Sequence, residues 1–220
     1  MKFLGPPSSG SIAGTTSSHN SAGQYTRNRR SPVQPVGNGR RGVIRAAFSA
    51  ASSGWSALTA AEQAAWGGYA ASYPYTDSLG QQIKLTGHQM FVAIGTQLIN
   101  CGQALPVNPP PTNAVFAAGF SAFTAVHAGA ITLTPTGTGA ATDFLLIAMS
   151  AQQSSGRSFC KTFVQLDKLA GNVVAATVLT ALYTAQFGAI TAGQRLFYRL
   201  TPVNQYGVAG TPNIGFITVS

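Results

Sequence analysis

From Arg40 onward, apolar residues recur at spacings of three and four, at Ile44, Phe48, Ala51 and Trp55. That period predicts an amphipathic helix whose apolar stripe faces a core. A second helix is predicted from the T-x-x-E pair Thr59 and Glu62, where each side chain caps a backbone amide of the other. It should fade at Gly67 and Gly68 and end before Pro74. "YTDSLGQQIKL" then reads as a short extended excursion around Asp77, Ser78 and Gly80. Thr86 and Gln89 repeat the capping pattern. Met90 or Phe91, then Ile94, Leu98 and Cys101, form the stripe of a third helix, with Gly102 placed to stop it.

Beyond this the period shortens. The runs "AITLTP", "DFLLIAMS", "SFCKTFVQL", "RLFYRLTPV" and "GFITVS" are rich in β-branched and aromatic residues and separated by Gly, Ser, Asn and Pro. They predict antiparallel strands packed as a sandwich, with one helical turn around "VLTALYTAQFG". "TGTGA", residues 136–140, reads as a hairpin tip between two strands rather than a phosphate cradle. Between the helical and β-rich stretches lies "ALPVNPPPTN", whose Pro106, Pro109, Pro110 and Pro111 favour a stiff extended connection and mark the expected domain boundary.

Residues 1–39 show neither period. They are rich in Gly, Ser, Thr, Asn and Pro, and such a segment buries too little apolar surface to offset the entropy of ordering it alone. Charge singles out the same region. Only 8% of the 220 residues are charged, yet residues 1–45 hold seven of the thirteen bases, and no acid precedes Glu62. The remaining chain carries six bases against four acids. The formal charge of +9 therefore belongs mainly to an arm, where Arg27, Arg29, Arg30, Arg40, Arg41 and Arg45 are the candidate anchoring residues.

Several functional classes find little support. "MKFL" is followed at once by "GPPSSGS", so no signal-peptide core is expected, and "FLLIAM" is far shorter than a membrane span. Cys101 and Cys160 are read as reduced thiols, consistent with folding in a cytoplasm. The acids Glu62, Asp77, Asp143 and Asp167 and the histidines His19, His88 and His127 are scattered, with no hydrolase, zinc-protease or nucleotide-binding motif around them. No enzymatic activity, metal or cofactor is expected.

"LFYRLTPVNQYGVAG" resembles the penultimate strand and turn of a fibronectin type III domain, at Tyr198, Leu200, Pro202, Asn204 and Gly207. The resemblance covers residues 109–220 at the level of architecture and implies an Ig-like fold. The usual core Trp of that family is missing, because Trp55 and Trp66 both lie in the helical stretch. The N-terminal half resembles a group of bacteriophage structural or hypothetical proteins at Gly10–Ala13, Gly23–Arg30, Pro32–Pro35 and Trp55–Ala70. That likeness implies a virion component. "WSALTAAEQAAWGGYA" is also similar in order to the second helix of an HMG box, but it carries no base, so its Trp residues are read as core.

The expected fold class is α+β: an extended basic arm over 1–39, a helical region over 40–103, a Pro-rich linker over 104–113, and an Ig-like or fibronectin III-like antiparallel β-sandwich over 114–220. The expected function is that of a non-enzymatic virion protein. Capsid decoration through the arm is the first reading, and a neck or tail position the second. Partners would be capsid, neck or tail proteins and further copies of the chain, with no membrane. A host-glycan module using Tyr183, Phe187 and Tyr206, and a nucleic-acid-binding arm, are the alternatives.

Overall fold

The computed structural model describes residues 10–12, 15–20, 23–28, 40–73, 75–76 and 81–220. It is a mixed α+β chain that divides into two compact units, Met1–Gly42 and Val43–Ser220.

In the first unit, β1 (Gly10–Ile12), β2 (Thr15–Asn20) and β3 (Gly23–Asn28) form an antiparallel sheet in the order β1-β2-β3. Ile12 pairs with Thr15 and Asn20 with Gly23. The stretch expected to be an arm without regular structure therefore carries, among its described residues, three strands paired with one another. Backbone pairing does not read side chains, so "TTSSHN" and "GQYTRN" form a ladder without the apolar alternation that would announce one.

The second unit begins with a helical layer. Helix α1 (Arg40–Gly54) starts in the first unit and continues into the second, and a short 3-10 turn follows at Trp55–Ala57. Its buried positions are Ala47 and Ala51, whereas Val43 is 52% exposed, Ile44 36% and Phe48 56%. The predicted stripe is therefore corrected: Ile44 and Phe48 face outward. The reason lies in its neighbours. A Cβ built on Gly95 would come within 3.3 Å of the Ala51 Cβ, and one on Gly54 within 2.6 Å of Leu105 Cδ1. Only small residues fit so close an approach.

Helix α2 (Ala60–Ser72) opens with the predicted capping box, Thr59 N–H donating to Glu62 Oε2 at 2.6 Å and Glu62 N–H to Thr59 Oγ1 at 3.4 Å. It does not fade at Gly67 and Gly68. A Cβ at Gly87 would lie 2.7 Å from the Gly67 nitrogen, so the start of the third helix rests on this backbone. Strands β4 (Tyr75–Thr76) and β5 (Gln82–Ile83) pair as a short ribbon. Asp77, Ser78 and Gly80, the turn residues expected there, lie outside the described residues.

Helix α3 (Gly87–Asn100) carries the second capping box, with Thr86 N–H donating to Gln89 Oε1 at 2.9 Å and Gln89 N–H to Thr86 Oγ1 at 3.2 Å. It ends as its sequence predicts. Gly102 takes φ +73°, its N–H donates to Ile99 O, and Gln103 N–H donates to Leu98 O, the paired bonds of a Schellman stop. Phe91, rather than Met90, is the buried member of the stripe, with Val92, Ile94 and Leu98 beside it. Phe91 meets Trp66 edge to face, ring centroids 5.3 Å apart.

The two β-layers follow. Strands β6 (Phe120–Ala125), β7 (Ile131–Pro135) and β10 (Thr177–Val178) form one antiparallel sheet in the order β10-β7-β6. Strands β8 (Phe144–Met149), β9 (Val164–Ala170), β11 (Arg195–Val203) and β12 (Asn213–Thr218) form the other in the order β12-β11-β8-β9. Ile131 and Leu133 from one sheet share a core with Leu145, Ile147, Met149, Leu196, Tyr198 and Leu200 from the other. Since β7 and β8 belong to different sheets, residues 136–140 cross between sheets and are not a hairpin tip. The expected helical turn is the two-turn helix α4 (Thr180–Phe187), whose buried Tyr183 donates its hydroxyl to Ser150 O at 3.1 Å.

The Pro-rich stretch 104–113 does not separate two compact units; the chain divides at Gly42 instead. Trp66 Nε1 donates to Val107 O at 3.0 Å, and the Tyr69 hydroxyl donates to Asn113 Oδ1. The helical layer is also tied directly to the β12-β11-β8-β9 sheet. Lys168 Nζ donates to Cys101 O at 2.6 Å and Asn100 Nδ2 to Gln165 Oε1 at 3.0 Å, while buried Cys101 packs with Leu146 and Val203. Gly207, at φ +85°, lets the β11–β12 turn approach α3, where a Cβ would lie 2.9 Å from Ile94 O.

Candidate interaction surfaces

The proposed anchoring arginines are described only in part. Arg27 lies in β3 opposite Thr16, and Arg29 and Arg30 lie outside the described residues. Arg40 and Arg41 begin α1, with Arg45 one turn beyond Arg41 and exposed. Bases in a first turn oppose the helix dipole, and no acid accompanies them there. Helix stability does not ask for arginine at these positions. Near Arg45, the exposed Ile44 and Phe48 add an apolar component that the periodicity had assigned to the core, and Val43 is exposed as well.

A second surface lies on the β11–β12 pair. The Arg195 guanidinium sits 4.3 Å over the Phe216 ring, and Phe216 pairs across the strands with buried Phe197, their ring centroids 5.7 Å apart. Exposed Arg199 stands opposite Ile214, which is 55% exposed. Alternation along β11 and β12 places these residues on the face away from the shared core, a grouping that neither strand reveals alone.

The described carboxylates serve the fold. Glu62 is a helix cap, and its bonds from the Thr59 backbone and hydroxyl hold its pKa below the ordinary 4.5. Asp143 accepts from Ala140 N–H at 3.0 Å and from Gln205 N–H at 2.9 Å, bracing two loops. Asp167 accepts from Lys168 N–H at 2.8 Å. His127 Nδ1 lies 3.0 Å from Ile190 O; a carbonyl only accepts, so this nitrogen carries the proton. His88 packs at a tilt against Trp55, with ring centroids 5.4 Å apart. The side chains of His19 and Asp77 lie outside the described residues. Among the described residues, no group of three His, Cys, Asp or Glu side chains is placed to hold a metal ion, and no helix is long and apolar enough to cross a membrane.

Of the aromatic residues considered for a glycan platform, Tyr183 is fully buried, and burial raises its pKa to about 12. Phe187 and Tyr206 are half-buried. Phe187 does line an open cleft of about 380 Å³, together with Arg157, Phe159, Cys160, Lys161 and Thr162 from the β8–β9 connection. No family model, curated protein or solved structure matches this chain.

Proposed function

We propose that this chain is a non-enzymatic structural protein of a bacteriophage particle, with capsid decoration through the arginine-bearing N-terminal segment as its first role. The observation that carries the reading is how its side chains are used. Glu62, Asp143 and Asp167 are committed to caps and braces, while Arg45, Arg199, Val43, Ile44 and Phe48 stand at the surface. Such a molecule acts through contact area and charge. Repetition by particle symmetry turns weak individual contacts into firm attachment, and the same repetition would bring copies of the chain together as a homo-oligomer. The assignment to a virion rests on the resemblance of the N-terminal half to phage proteins.

The β-layers are read as a fibronectin III-like sandwich. Seven strands split three and four, consecutive strands β8 and β9 pairing in one sheet and β6 and β7 in the other, support this reading.

Cosedimentation with undecorated particles of the source phage tests the proposal, comparing the full chain with a form lacking residues 1–39. Binding by the full chain alone is the expected result. Binding by neither form removes the decoration role and favours a neck or tail position. The nucleic-acid alternative expects binding to DNA that weakens steeply with salt and vanishes with the arm.

A further inference from the structure

The cleft between the β8–β9 connection and the last turn of α4 has a chemistry of its own. Arg157 Nη1 donates to Gln153 Oε1 at 2.6 Å and its Nε donates to Phe159 O at 3.1 Å. These bonds hold the guanidinium in place beside the cleft and use only part of its five N–H groups. Lys161 lines the same cleft, and no acid does. The described carboxylates are engaged elsewhere, with Thr59, Ala140, Gln205 and Lys168. Two cations thus share a small concavity without an internal counter-ion.

The cleft is not simply an anion site. Phe159 is 59% exposed and Phe187 forms part of the lining, so the cavity offers phenyl surface beside its charge. Its volume of about 380 Å³ suits a single ring rather than a flat protein surface. Inorganic phosphate would leave the phenyl surface uncovered, and an acidic amino-acid side chain brings no ring face to it. Thr162 adds a hydroxyl that can pair with a ligand hydroxyl.

We propose that this cleft binds an acidic sugar, with the carboxylate of a uronate ring held by Arg157 and Lys161 and its C–H face laid against Phe159. The site lies in the C-terminal part of the chain and does not depend on the particle role proposed above.

Cys160 supplies a direct readout. It lines the cleft and is half-buried, while Cys101 is only 1% exposed, so alkylation by iodoacetamide, a neutral reagent, reports on Cys160. With the full chain, trigalacturonate at about ten times its Kd should slow alkylation roughly tenfold by occupying the cleft. Neutral galactotriose should not. Arg157→Ala should abolish the protection, and Lys161→Ala, in case the first variant folds poorly, should weaken it several-fold.

Absence of protection up to about 10 mM, the weak end of specific binding, would overturn the proposal. So would equal protection by galactotriose, or protection surviving both substitutions. Protection by inorganic phosphate at the same concentration would reduce the cleft to a plain anion site. Stronger protection by an acidic hexapeptide would assign it to a protein partner instead.

Discussion

Helices α1 and α3 are nearly equal in length, 15 and 14 residues, and both announce themselves by apolar spacing. They are built for different ends. Helix α3 has a capping box, a glycine stop and a row of large buried side chains from Phe91 to Leu98. Helix α1 has two arginines where a dipole would prefer acids, buries only Ala47 and Ala51 among its described residues, and leaves Ile44 and Phe48 outside. An apolar stripe therefore identifies a helix without identifying what the stripe will touch. In α3 it meets the protein's own core; of the stripe begun in α1 only the later members, Ala51 and Trp55, do so, and Ile44 and Phe48 stand exposed.

The largest expected effect is on α3. Phe91→Ala removes the ring that packs against both Trp55 and Trp66 and should cost about 3–5 kcal/mol in denaturant unfolding, whereas Phe48→Ala should cost less than about 0.5 kcal/mol. Equal losses at the two positions would erase the distinction between the helices.

Next comes the cap. Thr86→Ala strips the Gln89 amide of its acceptor and should cost about 1 kcal/mol, measured by the same unfolding curve. A change near zero would mean that α3 is held by tertiary packing alone.

Raising the pH probes the layers without substitution. Tyr183, held neutral by burial, ionises at about 12 in the folded protein against 10 ordinarily. The unfolded chain therefore loses this proton first, and the stability that depends on neutral Tyr183 is present below pH 10 and falls progressively between pH 10 and 12. Tyr69, raised in the same direction by burial at the strap over 104–113, reinforces the trend. Near-ultraviolet and far-ultraviolet circular dichroism should lose signal together, because α3 is tied to β9 through Lys168 and Asn100. Separate transitions would show the helical layer melting by itself.

The smallest effect on folding should accompany a large effect on binding. Arg45→Glu combined with Phe48→Ser alters an exposed patch, so the melting temperature should move by no more than about 2 °C while particle cosedimentation is lost. Retained cosedimentation would exclude α1 from the attachment surface.

Much of the fold could be read from residue spacing because the governing interactions are local. Thr86 and Gln89 are three apart and cap each other wherever the helix goes; Gly102 follows the last apolar position and adopts the left-handed conformation a stop requires. Strand β7 alternates as its run suggests, with Ile131 and Leu133 inward, whereas β8 buries Leu145, Leu146 and Ile147 in succession. The candidate surfaces were less readable. Arg27, Arg40, Arg41 and Arg45 are conspicuous in composition, but Arg195 and Arg199 gain meaning only beside Phe216 and Ile214, residues of another strand. Arg157 and Lys161 line a cleft together with Phe187, well over twenty positions later, a grouping that neither stretch reveals alone.

By itself, the sequence determined where α3 begins and ends, most of the runs beyond residue 113 that become strands, and where positive charge gathers, because each depends on neighbours a few residues away; within "SFCKTFVQL" only the residues from Val164 are strand. Tertiary structure decided that α1 buries its alanines and exposes its Phe, and that Leu146, opposite in direction to the shared core, is covered by Cys101. It also decided that 104–113 belongs within a compact unit and that "TTSSHN" pairs as a strand. These outcomes depend on surfaces brought together from distant parts of the chain. A Cβ built on Gly95, for example, would already come within 3.3 Å of the Ala51 Cβ, so the site that accepts the Ala51 methyl group has no space for a ring.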